Sequence, residues 1–360
     1  MDQISWSPKT DGERRLAEKA VQLADRHQDI EYQLKGRSQL VKAAVTTGFP
    51  EKALVAYSFI LAIMDEKPEV FKEHMWSFMT LWDYKWVINR LSQFSTISRE
   101  QIMDTLEDME RRFTAEGGAE ESILQYRFKI NSQLGNYDVA DEVLREINEG
   151  VNLSDSLNDC GACFLSSRVS HYVRQGKYDQ AIEESAPILE GRETCGEIPE
   201  MFYDVLLIPY LLTDRFDDAM ELLTKLELED TARKLDMNAV TIIGHAAAGR
   251  HSHALEVLER NWAVMLNVRE HKNPFKFRLA ARYLLRELAA SGQENIKLRL
   301  PDDVPFYQAS QSYVIADLLQ QLDDEINKVR EAFVLRDGND FYHRLEQRVD
   351  EIAARYRKDK

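Results

Sequence analysis

The chain has 360 residues and a formal net charge of −16, because 62 acidic side chains outnumber 46 basic ones. A field of that sign repels phosphate backbones, so nucleic acid is not an expected partner. The charged N-terminus carries no apolar stretch, no apolar run approaches the roughly 20 residues of a membrane span, and three cysteines do not form a disulfide framework. We therefore expect a cytoplasmic protein without a signal peptide or a membrane segment.

Hydrophobic periodicity divides the chain into four predicted segments. A capping helix in residues 1–30 precedes a helical repeat array in residues 31–291, which is followed by a connector in 292–306 and a helical hairpin in 307–360. Strand-like alternation is nearly absent, and "IKLRLP" from Ile296 is the exception. The sequence therefore predicts an all-α protein.

Five short stretches repeat one pattern along the array. They are GFPEKA, GNYDVA, GKYDQA, DRFDDA and GRHSHA, which begin at residues 48, 135, 176, 214 and 249. The last four are separated by 41, 38 and 35 residues, and periods of this length are typical of stacked helix pairs. The first interval, of 87 residues, fits two such periods.

Each position in this pattern has an expected structural role. The first residue ends a helix, and glycine suits this place because it adopts the left-handed conformation at low cost. The aromatic residue is expected to cover the turn, and the alanine in the next helix lets two helices pack closely. An amphipathic stripe then follows, as in Val139, Ala140, Val143, Leu144 and Ile147.

This spacing of glycine, aromatic and alanine resembles the tetratricopeptide family over about residues 31–266. The resemblance implies a right-handed solenoid of antiparallel helix pairs, capped by the C-terminal helical hairpin, with an inner face that binds a peptide segment or a partner helix. The stretches DCGAC, GRETCGEIPE, KLRLP and RDGNDFYHRL are also similar to an uncharacterised group of bacterial tetratricopeptide-like proteins. That second similarity adds to the fold and little to the function.

Two of the three cysteines, Cys160 and Cys163, open a predicted helix, and Asp159 is its expected N-cap. Cys195 precedes the first helix of the next pair, so we expect the three sulfur atoms on one rim within reach of one another. A helix N-terminus favours thiolate, and three thiolates with Glu197 or Asp159 would complete a four-coordinate structural zinc site that clamps two repeats together. A redox-sensitive dithiol and plain half-buried cysteines are the alternatives.

A basic stripe stands out in this acidic chain. Arg278, Arg282 and Arg286 lie four residues apart on one predicted helix, with Lys276 just upstream. Guanidinium groups suit bidentate capture of carboxylate or phosphate, so the stripe is a candidate partner-binding surface for an acidic peptide or an anionic ligand. The alternative is a helix face that forms internal ion pairs.

The C-terminal segment predicts a helical hairpin. A long helix from Tyr307 carries a heptad seam between Ile315 and Phe333, the stretch RDGND breaks it, and a second stripe runs from Phe341 to Tyr356. The hairpin folds back on itself or onto the array, or it serves as a homodimerisation arm. Both interpretations stay open.

Enzyme signatures are missing from the sequence. GHAAAGRH has the glycine spacing of a phosphate loop without its lysine and hydroxyl residues, and GxGxxG, HExxH and GxSxG do not occur. We therefore expect a non-enzymatic interaction scaffold or regulator that binds a protein or peptide partner. The alternative function is a metal- or thiol-dependent sensor that uses Cys160, Cys163 and Cys195.

Overall fold

Helices form nearly all of the regular structure, so the all-α prediction is confirmed. The computed structural model describes residues 10–72, 76–117, 119–150, 156–199, 202–226, 229–302, 304 and 306–357. Within these ranges the strands are β1 (Asn295–Lys297) and β2 (Ser312–Val314), which pair antiparallel. Some residues of the predicted segments lie outside the described residues, namely 1–9, 73–75, 118, 151–155, 200–201, 227–228, 303, 305 and 358–360.

The chain divides into two compact units, and the first comprises Met1–Asp159 with Val268–Glu270. Its described helices are α1 (Asp11–His27), α2 (Ile30–Thr47), α3 (Pro50–Glu66), α4 (Pro68–Lys72), α5 (Trp76–Leu91), α6 (Arg99–Glu116), α7 (Glu120–Gln133) and α8 (Tyr137–Asn148). Local sequence starts two of them, because Thr10 and Ser98 complete capping boxes with Glu13 and Gln101. Within this unit α2 contacts α1, α3 and α5, and the apolar core fills the space between them.

The second unit comprises Cys160–Asn267 and His271–Lys360. Its described helices are α9 (Gly161–Gln175), α10 (Tyr178–Glu184), α11 (Ala186–Leu189), α12 (Tyr203–Leu212), α13 (Phe216–Thr224), α14 (Leu235–Ala247), α15 (His251–Asn267), α16 (Lys272–Ala290), α17 (Ile315–Asp337) and α18 (Phe341–Tyr356), with a short 3₁₀ helix at Ala232–Lys234. The boundary after Asp159 falls inside the segment that the sequence predicts as one array.

The five repeated stretches form five helix-to-helix turns, as the pattern predicts. The first residue of each stretch has a positive φ, with values of 83° at Gly48, 78° at Gly135, 81° at Gly176, 59° at Asp214 and 70° at Gly249. The five alanines are at most 1% exposed: Ala53, Ala140, Ala181, Ala219 and Ala254. A small side chain at that place lets the second helix of each pair lie close to its neighbour.

The helices of the second unit interleave. The first helices of the pairs contact one another in order, α9 with α12, α12 with α14, and α14 with α16. Each second helix contacts its own partner and the next first helix, so α10 lies against α9 and α12, and α13 against α12 and α14. Gly244 permits a close approach of these helices, because a Cβ there would lie 3.1 Å from Leu207 and 3.2 Å from Leu223.

The C-terminal hairpin begins later than predicted. The long helix α17 starts at Ile315 and not at Tyr307, because residues 312–314 extend as β2 and pair with β1. The predicted break is confirmed, since α17 ends at Asp337 and the next residue, Gly338, has a φ of 67°. Both hairpin helices pack on α16, and α18 also contacts α12 and α14.

Candidate functional site

The three cysteines lie together in the second unit, as the sequence predicts. Cys160 is the residue before α9, Cys163 lies in the first turn of that helix, and Cys195 lies in the segment between α11 and α12. Their three Sγ atoms are all within 4.8 Å of one another, and Cys163 Sγ is 3.5 Å from Cys195 Sγ. All three are free thiols; Cys160 is exposed, and the other two are half-buried.

The prediction that Asp159 is the N-cap of α9 is wrong. Cys160 occupies the cap position, and its side chain accepts no capping hydrogen bond. Asp159 is engaged elsewhere, because its carboxylate pairs with Lys85 at 2.9 Å and with Lys129, and its backbone N–H donates to Gln125 Oε1 at 2.9 Å. Two ammonium groups hold this carboxylate in a partly buried ion-pair cluster, which satisfies it better than an exposed helix end.

The surroundings of Cys195 and Cys163 shift their pKa values in opposite directions. Burial raises the pKa of Cys195, but backbone N–H groups at Glu197 and Ile198 and the thiols of Cys163 and Cys160 outweigh it and lower that pKa overall. The N–H of Glu197 is 3.4 Å from Cys195 Sγ. Burial, together with the two neighbouring sulfurs, raises the pKa of Cys163. The cluster therefore favours ionisation of Cys195 over ionisation of Cys163.

The spacing of the sulfur atoms suits a tetrahedral soft metal ion. A Zn–S distance of about 2.3 Å places two sulfurs of a tetrahedral site about 3.8 Å apart, close to the 3.5 Å between Cys163 and Cys195. Backbone N–H groups that point at a thiolate orient such a ligand and share its charge. Three thiolates are donors that favour zinc or copper(I) over magnesium or calcium.

Two glutamates flank the cluster differently. Glu197 contacts it through its backbone, whereas its carboxylate pairs with Arg233. Glu193 brings its carboxylate against the start of α9, since a Cβ built at Gly161 would lie 3.0 Å from Glu193 Oε2. The sequence singled out Glu197 and overlooked Glu193, because only the folded connector brings residue 193 back to the helix that begins at Gly161.

The basic stripe lies against the C-terminal hairpin. Arg282, which is 3% exposed, pairs with Glu346 and, at 3.1 Å, with Asp323. Arg286 pairs with Asp323 at 3.4 Å and with Asp350 at 3.2 Å. These contacts connect α16 to α17 and α18 within the second unit.

The other two members of the basic stripe are also engaged. Arg278 is 4.0 Å from Glu325, and burial lowers the pKa of its guanidinium. Lys276 donates to both carboxylate oxygens of Asp236, at 2.7 and 2.8 Å. All four positive side chains therefore have acidic partners within the second unit.

A cavity of about 170 Å³ lies in the second unit between the first helices of the pairs and α18. Most of the charged residues that line this cavity were not predicted from the sequence. One signal was present: Asp204 and Asp236 are the second residues of α12 and α14, and Lys272 begins α16. Acidic and basic residues thus occupy equivalent first-turn positions of three consecutive first helices, and stacking of those helices brings them together.

Comparisons with known proteins found no matching family model and no matching curated protein. No helix in the described ranges has the length and apolar character that crossing a bilayer requires. The features of this chain that suggest a function are the cysteine cluster and the cavity of the second unit.

Proposed function

We propose that this protein is a metal-binding helical protein in which Cys160, Cys163 and Cys195 hold a soft cation such as Zn²⁺. The observation that carries the proposal is the approach of the three Sγ atoms to within 4.8 Å. Three sulfurs that close are repelled from one another once ionised, and a divalent cation removes that repulsion. The fourth position is taken by Glu193, Glu197 or water.

The bound ion would act on the scaffold and not on a substrate. It would join the start of α9 to the connector between α11 and α12, two segments about 30 residues apart in the chain. Because ligand deprotonation and metal binding are coupled to folding, such a clamp makes local stability depend on metal supply. This is the basis for metal- or thiol-dependent sensing by the same three residues.

Metal content tests the proposal. Full-length protein purified under reducing conditions and loaded with Zn²⁺ should retain about one ion per chain after gel filtration, whereas Cys195→Ser should retain none. Ser167→Ala is the control, because its hydroxyl donates to the carbonyl oxygen of Cys163 at 3.0 Å without belonging to the cluster. Cobalt(II) should give thiolate-to-metal charge-transfer absorption only in chains with three cysteines. Failure of the wild-type chain to retain zinc, with an unchanged melting temperature, overturns the proposal.

The fourth ligand is tested separately. Glu193→Gln and Glu197→Gln remove one carboxylate each while conserving side-chain size. The variant that lowers zinc affinity identifies the ligand, and equal affinities assign the position to water.

Oxidation tests the alternative that the cysteines form a redox-sensitive dithiol. Diamide would take two electrons and two protons from Cys163 and Cys195 to form a disulfide, and bound zinc should block that reaction.

We propose a second function, as a tetratricopeptide-like interaction scaffold. The reason is that the helix pairs of the second unit already hold an amphipathic helix, α18, from the same chain. Arg348 and Arg355 of α18 donate to the carbonyl oxygens of Arg174 and Leu212, at 2.9 and 2.8 Å, near the C-terminal ends of α9 and α12. The interleaved helix pairs support stacking of the kind that the tetratricopeptide resemblance implies, and a partner helix of similar sequence would replace α18.

Competition tests the scaffold function. Arg355→Glu should weaken docking of α18, and a labelled peptide with the sequence of residues 341–357 should then bind the full-length variant more tightly than it binds the wild type. Gln347→Glu is the control on the same helix, because it also introduces a carboxylate but the Gln347 side chain is exposed. Absence of peptide binding to both proteins contradicts the scaffold function.

A further inference from the structure

The cavity in the second unit combines apolar walls with an unusual concentration of charge. It is lined by α9, α12, α14 and α16, and by α18 on the remaining side. Its apolar walls include Val173, Val205, Ile208, Val240, Ile243, and Val349. Surfaces of this kind hold the nonpolar body of a small molecule, while a few polar groups fix its orientation.

Positive charge predominates among the polar groups. Four cationic side chains line the cavity, namely Arg174, Lys272, Lys276 and Arg348, against the two carboxylates of Asp204 and Asp236. The chain as a whole carries a net charge of −16, so this is a local reversal of sign. An excess of positive charge beside apolar walls attracts anions more strongly than the same excess would in open solvent.

The two carboxyl groups of the cavity, Asp204 and Asp236, have pKa values shifted in opposite directions. Lys276 holds Asp236 through two hydrogen bonds, and although burial raises the pKa of Asp236, the positive charges of Lys276, Lys272 and Arg174 lower it overall. Burial and the neighbouring Asp236 raise the pKa of Asp204 from 3.8 to about 7. Below about pH 7 this carboxyl group is therefore mostly protonated, and it then donates a hydrogen bond instead of repelling an anion.

We propose that this cavity binds a small organic anion, with its carboxylate or phosphate group between Lys272, Arg174 and Arg348 and its apolar body against the walls. The site is separate from the cysteine cluster and goes beyond both proposed functions. Because Arg348 belongs to α18, the bound anion would also stabilise the docked position of that helix.

Calorimetric titration of the full-length protein with three probes tests the site. Hexanoate supplies an anionic head and an apolar body, inorganic phosphate supplies the charge alone, and 1-hexanol supplies the body alone. We expect saturable binding of hexanoate, weaker binding of phosphate if charge dominates recognition, and none of 1-hexanol. Binding of phosphate more tightly than hexanoate would assign the site to phosphate compounds. Absence of binding by both anions, or equal binding of hexanoate and 1-hexanol, overturns the proposal.

Matched lysine variants locate the site. Lys272→Gln should weaken hexanoate binding about tenfold, since one charge-assisted contact is lost. Lys297→Gln makes the same change at an exposed side chain of strand β1 and should leave affinity unchanged. Hydrogen exchange of Phe341–Tyr356 should slow on addition of hexanoate to the wild type. Equal weakening of hexanoate binding by both variants contradicts the assignment. So does a hydrogen-exchange rate in α18 that stays the same when hexanoate is added.

The pH dependence gives an independent readout through Asp204. The charged groups that face it are Asp236, Lys276 and Lys234, and the remaining cations of the cavity are Arg174, Lys272 and Arg348. Ionisation of Asp204 adds a negative charge, so hexanoate affinity should fall as the pH rises from about 6 to about 8. Asp204→Asn keeps a hydrogen-bond donor without titrating and should remove that dependence. Parallel pH profiles for the two proteins contradict the role given to Asp204.

Discussion

Replacing Arg282 by methionine should loosen the C-terminal hairpin strongly. The Arg282 side chain is 4% exposed and pairs with Glu346, which is 14% exposed, and with Asp323, which is 35% exposed. Breaking a buried pair by removing one partner costs about 3–5 kcal/mol. The lower end applies here, because Glu346 keeps Arg330 and Asp323 keeps Arg286.

Arg286→Met is the matched control for this prediction. Its side chain is 38% exposed and that of its partner Asp350 is 52% exposed, so solvent screens the pair and its loss should cost about 0–1 kcal/mol. Both variants remove one guanidinium from the same helix and keep a side chain of similar length. The main difference is burial, because Arg282 pairs with the largely buried Glu346 and Arg286 pairs only with the more exposed Asp323 and Asp350.

Hydrogen exchange measured by mass spectrometry reports the effect locally, which suits a chain with two compact units. A loss of about 3 kcal/mol corresponds to exchange about 100-fold faster in peptides from α17 and α18 when Arg282 is replaced. Arg286→Met should accelerate the same peptides less than about tenfold. Similar acceleration by both variants, or none with Arg282→Met, would show that these ion pairs do not hold the hairpin on α16.

Three further predictions concern single side chains. Burial, the stacked ring of His253 and a nearby arginine lower the pKa of His245 from 6.5 to about 4. Because the unfolded chain then binds the proton more readily, the free energy of unfolding should fall between about pH 6.5 and about pH 4, by less than about 3 kcal/mol because solvent screens a half-buried group, and urea titrations of His245→Gln should lack that slope. Gly338→Ala should lower the melting temperature through a cost of about 1 kcal/mol, since φ is 67° with open space around the residue, and Gly338→Asn should cost less. Phe333→Ala should cost about 3–5 kcal/mol in urea unfolding, because the ring is fully buried and stacks at 4.0 Å on Tyr342, and a cost near zero would contradict that packing.

Local chemistry made some features predictable. The turns at Gly176 and Gly249 follow from backbone sterics, because a residue with a positive φ ends a helix whatever surrounds it. The burial of Ala181 and Ala219 follows from periodicity, since each lies on the apolar face of its helix. The approach of Cys195 to Cys163 was predictable from the same period, which brings consecutive pairs side by side.

Competition between distant groups made other features unpredictable. Asp159 has the right chemistry for a helix cap, but Lys85 and Lys129 from other helices bind its carboxylate. Tyr307 lies within a helical pattern, but pairing between β1 and β2 delays the helix to Ile315. In each case an interaction between residues far apart in sequence outweighs a local preference.

The sequence by itself determined the helical class and the positions of the five repeated turns, and the repeat period predicted that the three sulfur atoms would meet. These depend on residue periods and on backbone conformations that neighbours along the chain impose. Only the tertiary structure decided the partners of the basic stripe and the existence of the cavity beside α18. The reason is that the protonation state of an ionisable group depends on its surroundings, and packing brought Asp204, Asp236, Lys272 and Arg348 to one cavity from four different helices.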